Sequence, residues 1–348
     1  MYPPAYFRRM KHYSTVLASV VCAFLLGSCQ SETLRTYRLS GYAQGTTYHI
    51  TFLSSRSLPA QAAVDSIFTA IDRSVSTYNE NSYIVALNQG DSVQLDPVLW
   101  DILAASQRVY RLSEGAFDPT VGPLVQFWGF GADKNRNIDS SQVDSLRLYV
   151  GFDRLATPTD YWRLPDRFQL DFNAIAQGYT VDQIAEYFNS SGVENYMVEV
   201  GGEVRCRGRN EEAQFWRIGV DKPREEIDTE DRFQFILALD SMSLATSGNY
   251  RKFWTDPETG ARYAHTIDPR SGFPARNRLL SVSVLAREAT FADAFATAFM
   301  VMGYSEARSF LAKHPDLGLE AYFILASSTP GDTAWEEFTT PGFEQYLP

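Results

Sequence analysis

Hydrophobic residues recur at helical spacing in several stretches of the chain. In residues 57–76, for example, Ile67 and Ile71 fall on one side of a helix, one turn apart. The next helix is bounded by Asp96, a suitable N-cap, and by Gly115, a common stop signal. By these criteria we predict helices over residues 57–76, 96–115, 174–189, 292–303 and 304–314.

Other stretches are rich in β-branched and aromatic residues and are predicted to be strands. Gly45 divides the first of them, residues 37–53, into two strand segments. The later strands are expected at 195–208, 214–220, 233–240, 263–268, 278–286 and 318–326. Because strands and helices do not alternate as regular βαβ units, the predicted fold class is α+β, with mixed or antiparallel sheets and packed helices. Residues 37–345 are expected to form this domain.

The beginning of the chain has the pattern of a secretory signal. Three basic residues within positions 8–11 precede an apolar run from Val16 to Leu26, which is too short to span a bilayer. The run ends in "LLGSC", the lipobox pattern of bacterial lipoproteins. We therefore expect residues 1–28 to be removed, Cys29 to carry the lipid, and residues 29–36 to be a tether. An ordinary signal peptide followed by a chance cysteine is the alternative.

Charge and cysteine content narrow the possible functions. Removing residues 1–28 lowers the number of Lys and Arg from 31 to 28 against 42 Asp and Glu, which changes the formal charge from −11 to −14. Such an acidic chain is a poor candidate for binding nucleic acid or an anionic lipid surface, so membrane attachment would depend on the acyl chains. Cys206 is the one remaining cysteine, which leaves no internal disulfide, and the chain has no CxxC motif to suggest zinc or haem.

A carboxylate and a hydroxyl interrupt the apolar helix "ADAFATAFMVMG" at residues 292–303. Asp293 and Thr297 are four residues apart and therefore lie on one helical face, one turn from each other. Both offer hard oxygen ligands of the kind that Mg²⁺ takes. From the residues alone a second interpretation is open, in which Asp293 caps the helix and Thr297 bonds back to the Asp293 carbonyl.

Three glycine-rich segments have compositions suited to ligand contacts. Residues 115–131, "GAFDPTVGPLVQFWGFG", combine four aromatic rings with glycines and prolines, which suits a flat ligand or simply a packed loop. The paired glycines in 199–208 indicate a strand bend beside a ligand or another backbone, or a simple bulge. Thr246, Ser247 and the Gly248 amide are expected to form a small polar nest able to meet phosphate oxygens.

His265 is the candidate base. It opens the segment "HTIDPRSGFP", in which Asp268 is a possible orienting partner, whereas His49 and His314 lie outside any motif. A lone histidine is also commonly structural, and the residues alone leave this open. No GxxxxGK[ST], GxGxxG or GxSxG motif occurs, so the usual nucleotide-loop and hydrolase signatures are absent from the sequence.

Several longer motifs, taken in order, are distinctive together. They are "GTTY" (45–48), "STYNENSYIVALN" (76–88), the 115–131 segment, "LDFNAIAQGYTVD" (170–182), "VEVGGEVRCRG" (198–208), "SLATSGNYRKFW" (243–254), "HTIDPRSG" (265–272) and "ADAFATAFMVMG" (292–303). The chain resembles the ApbE family of FAD:protein FMN transferases from about residue 40 to about residue 340. The resemblance implies an ApbE-like fold and an extracytoplasmic, Mg²⁺-dependent enzyme. Such an enzyme transfers FMN from FAD to a Thr or Ser hydroxyl and releases AMP.

The resemblance also implies roles for individual residues. Asp293, Thr297 and the backbone carbonyl of Ala174 would be the metal ligands. His265 would be the base, with Asp268 beside it. The FAD contacts would be Gln44, Tyr78, Ala116, Phe117, Asp118, Asp171, Gln177 and Ile267. Gln177 is a departure, since family members often have Lys or Glu there.

The resemblance points to partners and a location as well. Acceptors would be flavin-carrying redox proteins, such as subunits of membrane ion-pumping oxidoreductases. The enzyme would be anchored through Cys29 on the periplasmic side of a bacterial membrane, with the inner membrane favoured on family grounds. Two alternatives remain: an FAD pyrophosphatase that uses water as acceptor, and a flavin-binding lipoprotein without catalysis. The presence of His265, Asp293 and Thr297 counts against the second.

Overall fold

The computed structural model describes residues 33–131, 140–224, 226, 229–250, 253–255, 262–329 and 333–347. Residues 1–28 and Cys29 lie outside these ranges. The strands are β1 (Arg35–Ala43), β2 (Thr46–Ser54), β3 (Val93–Gln94), β4 (Tyr161–Trp162), β5 (Asn195–Val200), β6 (Glu203–Arg207), β7 (Trp216–Asp221), β8 (Phe233–Leu239), β9 (Met242–Gly248), β10 (Phe253–Thr255), β11 (Arg262–Ala264), β12 (Leu279–Ala286), β13 (Glu320–Ala326) and β14 (Trp335–Thr339).

The α-helices are α1 (Ala60–Val75), α2 (Tyr83–Asn88), α3 (Pro97–Leu112), α4 (Gly122–Phe127), α5 (Val143–Arg147), α6 (Ala176–Ser190), α7 (Ala289–Lys313) and α8 (Pro341–Glu344). Short 3₁₀ turns occur at Pro119–Val121, Ser140–Gln142, Phe152–Arg154 and Pro315–Leu317. In the described ranges, no helix is both long enough and apolar enough to cross a bilayer.

An eight-stranded sheet organises the molecule. Its strand order is β1-β2-β5-β6-β9-β12-β13-β14, and each described neighbouring pair is antiparallel. Three two-stranded pairs, β3-β4, β7-β8 and β10-β11, lie outside it. The fold class is therefore α+β, as the sequence predicts.

The two faces of the large sheet are covered differently, because side chains alternate along each strand. On one face, Val282 and Val284 of β12 pack in a core with α3 and α7, while Ile50 and Val198 pack against α1 and α6. On the other face, a core built around Leu285 packs against the β7-β8 hairpin and α8. Helix α7, which contains Asp293 and Thr297, and helix α6, which follows Ala174, thus pack on the same face of the sheet.

Most predicted elements are confirmed, with local corrections. The apolar stretch predicted as two helices is one unit, Ala289–Lys313, broken at Gly303, whose φ of +74° is not helical. The strand predicted over 263–268 is shorter: β11 ends at Ala264, and Ile267 makes only an isolated bridge to Pro274. The hydrophobic pattern did not predict β9 and β14, because these short strands contain small or acidic residues.

Candidate functional site

The first turn of α6 contacts α7 at the predicted metal ligand Asp293. The N–H of Gly178 donates a hydrogen bond of 3.0 Å to Asp293 Oδ2. A glycine is required here, because a Cβ atom at position 178 would lie 2.3 Å from the Ala289 carbonyl oxygen. This contact places the Asp293 carboxylate, which is only 6% exposed, against the beginning of α6.

This hydrogen bond also affects Ala174, the predicted backbone ligand. In an α-helix the Gly178 N–H would bond to the carbonyl four residues earlier, which is that of Ala174. In the described part of the chain it bonds to Asp293 instead, while the next N–H, that of Tyr179, makes the regular bond to Ile175. The Ala174 carbonyl is therefore released from its helical partner at the point where Asp293 meets α6.

Asp293 does not cap α7, so the capping interpretation is wrong. The helix begins at Ala289, four residues before Asp293. Burial raises the pKa of the Asp293 carboxyl from 3.8 to about 7, and the Gly178 N–H acts against that rise. A buried carboxylate of this kind is costly when ionised, and a bound cation would favour its charged form.

Thr297 lies one turn further along α7 and meets β9. Its hydroxyl is 3.2 Å from the hydroxyl of Ser247. The neighbouring Thr246 bonds to Ser283 across the β9-β12 ladder. The predicted nest at residues 246–248 is thus wrong, since these residues form a strand in which the two hydroxyls have different partners.

The donor set fits a hard cation. Asp293, Thr297 and the Ala174 carbonyl would supply one charged and two neutral oxygens, the kind of ligand that Mg²⁺ binds together with water. Within the described ranges there is no group of three or more His, Cys, Asp or Glu residues that could hold a metal. The predicted site is compatible with that result, because it contains a single carboxylate.

Two of the predicted FAD contacts, Tyr78 and Asp171, influence each other electrostatically. Tyr78 is an exposed ring, 69% accessible, and both partial burial of its hydroxyl and the charge of Asp171 raise its pKa. Asp171 accepts hydrogen bonds from the backbone N–H and the side-chain amide of Asn173, and burial raises its pKa. The Asp171 N–H in turn donates to the Pro119 carbonyl, which joins this pair to the aromatic loop.

Gln44 and Gln177 lie where the β1-β2 turn meets α6. Gln44 has a positive φ of 51°, and its side-chain amide donates to the Thr180 hydroxyl at 2.8 Å. Its buried Oε1 has no hydrogen-bond partner among the described residues. The amide of Gln177 lies over Gly201, where a Cβ would be 2.5 Å away. The glycine bend at 201–202 therefore makes room for this side chain.

The side chains of Phe117 and Asp118 do not face an open cleft, which corrects their expected roles. Phe117 is 3% exposed and belongs to the main core. The Asp118 carboxylate accepts hydrogen bonds from Thr120 N–H, from the Thr120 hydroxyl and from Phe152 N–H. Burial raises the Asp118 pKa to about 6. A ligand would meet this loop through its backbone, including that of the buried Ala116.

His265 is partly buried directly after β11, with its ring edge-on to that of Phe130. Its expected partner Asp268 accepts hydrogen bonds from the backbone N–H and the Nε of Arg270, so its described contacts belong to its own turn. The pairing of Asp268 with His265 is therefore corrected to a turn-closing role. Ile267 is buried beside Trp128, and its backbone pairs with Pro274.

A chain of contacts joins the His265 segment to the metal-ligand pair. The Thr266 hydroxyl donates to the Asn249 side chain at 2.7 Å. Asn249 follows β9, whose Ser247 contacts Thr297. A groove of about 860 Å³ borders this segment and is lined by Pro223, Asn249, Tyr250, Tyr263, Ala264 and residues 274–280. Motifs that are far apart in the sequence thus meet at one end of β9.

Sequence reasoning missed Gly178 and Asp182 as residues that hold the site together. Asp182 contacts the first residues of α7, and Gly178 contacts Asp293. Both residues fall within the motif at 170–182, and their spacing of four places them on one face of α6. This spacing could have indicated that both residues face the same neighbouring element.

Comparisons with known proteins agree on one family. The model of the ApbE family matches residues 44–323. The FAD:protein FMN transferase of Haemophilus influenzae is 32% identical over 351 residues, covering 95% of this chain and 99% of that protein. The FAD:protein FMN transferase of Vibrio cholerae is 35% identical over 305 residues, covering 84% of this chain and 88% of that protein. The solved structure of the flavin transferase ApbE from Vibrio cholerae matches with a TM-score of 0.78 at 31% identity, covering 90% of this chain and all of that one.

Proposed function

The chain belongs to the ApbE family, and we propose that it is an FAD:protein FMN transferase. It would transfer FMN from FAD to a Thr or Ser hydroxyl of an acceptor protein and release AMP. The relatives described above, which carry this activity in their names and align over most of the chain, support the proposal. The structural observation that carries it is the hydrogen bond from Gly178 N–H to Asp293, because it brings a buried carboxylate to a released carbonyl.

Mg²⁺ is the metal that we propose for this site. Asp293, Thr297 and the Ala174 carbonyl would hold it, and their oxygen chemistry supports this choice over zinc or a soft metal. When bound, the ion would offset negative charge on the FAD pyrophosphate. The chain's own contribution is to keep the Asp293 carboxylate buried and oriented by the Gly178 N–H.

The reaction that we propose needs one proton acceptor. The acceptor hydroxyl oxygen would bond to the phosphorus of the FMN half, and the bond from that phosphorus to the oxygen of the AMP half would break. His265 would take the hydroxyl proton, and AMP would leave with the bridging oxygen. The position of the partly buried His265, next to the groove lined by Tyr263 and Ala264, supports this role.

FAD would be bound by groups from five segments. The exposed Tyr78 ring is available for stacking, and the charge of Asp171 acts on its hydroxyl. The buried Oε1 of Gln44 is an acceptor that a ligand could satisfy, and Gln177 lies nearby on α6. Backbone groups of 116–118 and of Ile267 would complete the site.

One reconstitution separates this function from its alternatives. Full-length protein in detergent is incubated with FAD, MgCl₂ and a candidate flavin-carrying acceptor, and both acceptor mass and AMP are measured. A transferase adds the mass of FMN less water to the acceptor and releases AMP, whereas a pyrophosphatase releases AMP without changing the acceptor. A flavin-binding protein without catalysis does neither. The same mixture with EDTA tests the need for Mg²⁺.

We also propose that the enzyme is lipid-anchored at Cys29 on the periplasmic side of a bacterial membrane, the inner one being favoured by family resemblance. The "LLGSC" sequence after a basic and apolar leader supports this. Its acceptors would then be extracytoplasmic flavin-carrying subunits of membrane oxidoreductases. Fractionation of cells that express Cys29→Ser tests the anchor, and a variant that stays in the membrane as a diacylated species would contradict it.

A further inference from the structure

The N-terminus of α7 is capped from another helix. Asp182 of α6 accepts hydrogen bonds from Ala289 N–H at 3.0 Å, from Thr290 N–H at 2.8 Å and from the Thr290 hydroxyl at 2.6 Å. Glu288, which precedes α7, makes no side-chain capping bond. The first turn of a helix has N–H groups without intrahelical partners, and a carboxylate placed there also interacts favourably with the helix dipole.

Asp182 is itself fixed to the sheet. Arg205 of β6 donates to Asp182 Oδ1 at 2.6 Å, and the two side chains are only 23% and 11% exposed, respectively. A largely buried ion pair of this kind has little freedom to rearrange, because either charge would be costly without the other. The beginning of α7 is therefore connected through one carboxylate to both α6 and β6.

The capping contact and the ligand contact form a ladder between the two helices. On α6, Gly178 and Asp182 are one turn apart. They meet Asp293 and the 289–290 pair, which are one turn apart on α7. Asp182 thus restrains the sliding of α7 along α6, and that sliding would move Asp293 and Thr297 relative to Ala174.

From this ladder we infer that Asp182 is a positioning residue for the metal site. It sets the register between α6 and α7, and with it the spacing of the carbonyl, carboxylate and hydroxyl ligands. The inference rests on the metal site proposed above. Mg²⁺ demands near-ideal octahedral geometry, so a small change of register should lower its affinity even though no ligand is removed.

Direct metal binding to the full-length protein tests this role without relying on turnover. Mn²⁺ alone is titrated into the protein, and the free ion is followed by its electron paramagnetic resonance signal. Loss of an outer contact that orients metal ligands typically costs about 10-fold to 100-fold in affinity, so Asp182→Asn should raise the dissociation constant by at least about 10-fold. Thr290→Val, which removes only the hydroxyl contact, should raise it less, and Thr290→Ser should restore the wild-type value.

Glu320→Gln is the matched control. It also removes one negative charge from a partly buried carboxylate, but the contact of Glu320 is with the Thr340 hydroxyl, near α8. The control should lower the melting temperature without changing Mn²⁺ affinity. Melting temperatures of all variants are recorded so that affinity is compared at similar losses of stability.

The outcomes separate this inference from the metal site itself. If Asp293→Ala loses Mn²⁺ binding while Asp182→Asn and Thr290→Val keep the wild-type dissociation constant, Asp182 has only a structural role and the inference is wrong. If Asp293→Ala also binds Mn²⁺ normally, the proposed metal site fails and the inference fails with it. Weakened binding in Thr290→Val together with recovery in Thr290→Ser supports the positioning role, even if Asp182→Asn does not fold.

Discussion

Replacing Asp293 by asparagine should make the metal-free protein more stable and greatly reduce its activity. The amide keeps an oxygen that can accept the Gly178 N–H, so the contact between α6 and α7 is preserved. What it removes is the negative charge of a side chain that is 6% exposed. A residue kept only for structure would behave in the opposite way, because its loss would lower stability and spare the chemistry.

The size of the stability change follows from the pKa. Burial raises the Asp293 pKa from 3.8 to about 7. At about 1.4 kcal/mol per pKa unit, an ionised Asp293 without a cation costs on the order of 4 kcal/mol. Because the native protein binds this proton more tightly than the unfolded chain, stability falls as the pH rises between about 4 and 7. The asparagine N–H groups need partners of their own, so we expect a net gain of about 1–3 kcal/mol above neutral pH.

Two measurements on the same preparation test this reasoning. Urea unfolding in EDTA should show the higher free energy of unfolding in Asp293→Asn, and MgCl₂ should raise the melting temperature of the wild type but not of the variant. Loss of charge neutralisation worth about 3 kcal/mol in the barrier should reduce AMP release by about a hundredfold or more. Asp118→Asn is the control: it neutralises another buried carboxyl with a raised pKa but should keep the response to Mg²⁺. A less stable Asp293→Asn with normal AMP release per folded molecule would refute the metal-site assignment.

Substitutions at four other positions should give distinct results. His265→Ala should bind Mn²⁺ and FAD normally but lose about 10²-fold to 10⁴-fold in AMP release, as measured by single-turnover kinetics. Thr297→Val should weaken Mn²⁺ binding in a titration, whereas Thr297→Ser should retain it. Phe117→Ala should lower the free energy of unfolding by about 3–5 kcal/mol in urea melts, because the ring is in the core, while FAD affinity of the folded fraction changes little. Asp118→Asn should remove the part of the stability loss that occurs between about pH 4 and pH 6, since burial raises this pKa to about 6.

The parts of the fold that sequence patterns predicted best are those governed by local rules. Helix α3 begins directly after Asp96, whose carboxylate caps Leu99 N–H as its residue type and position indicated. The break in α7 falls at Gly303, where the predicted helices 292–303 and 304–314 were divided. In these cases the deciding interaction lies within a few residues, so the local sequence contains the information.

The errors arose where side-chain direction depends on distant packing. The composition of 115–131 suits either a flat ligand or a packed loop, and the Phe117 ring, an FAD contact by resemblance, is instead buried in the core beneath the loop. Asp118 is one of the FAD contacts that the resemblance implies, but its carboxylate bonds to Thr120 and to Phe152, which comes from another part of the chain. Composition indicates which groups a loop contains, and it does not indicate the direction in which they point.

The metal site also combines features that the local sequence predicts with features that depend on packing between distant segments. The spacing of Asp293 and Thr297 identifies two oxygen donors on one helical face, yet the same residue types also suit a helix cap and a local hydrogen bond. What distinguishes this site is that the Gly178 N–H bonds to Asp293 in place of the Ala174 carbonyl, and any Cβ at position 178 would lie too close to the Ala289 carbonyl for the helices to meet in this way. A chain that kept both donors but had a larger residue at 178 would lose the contact that releases the carbonyl. The glycine is therefore as informative about the site as its proposed ligands, although it supplies no side-chain atom to the metal.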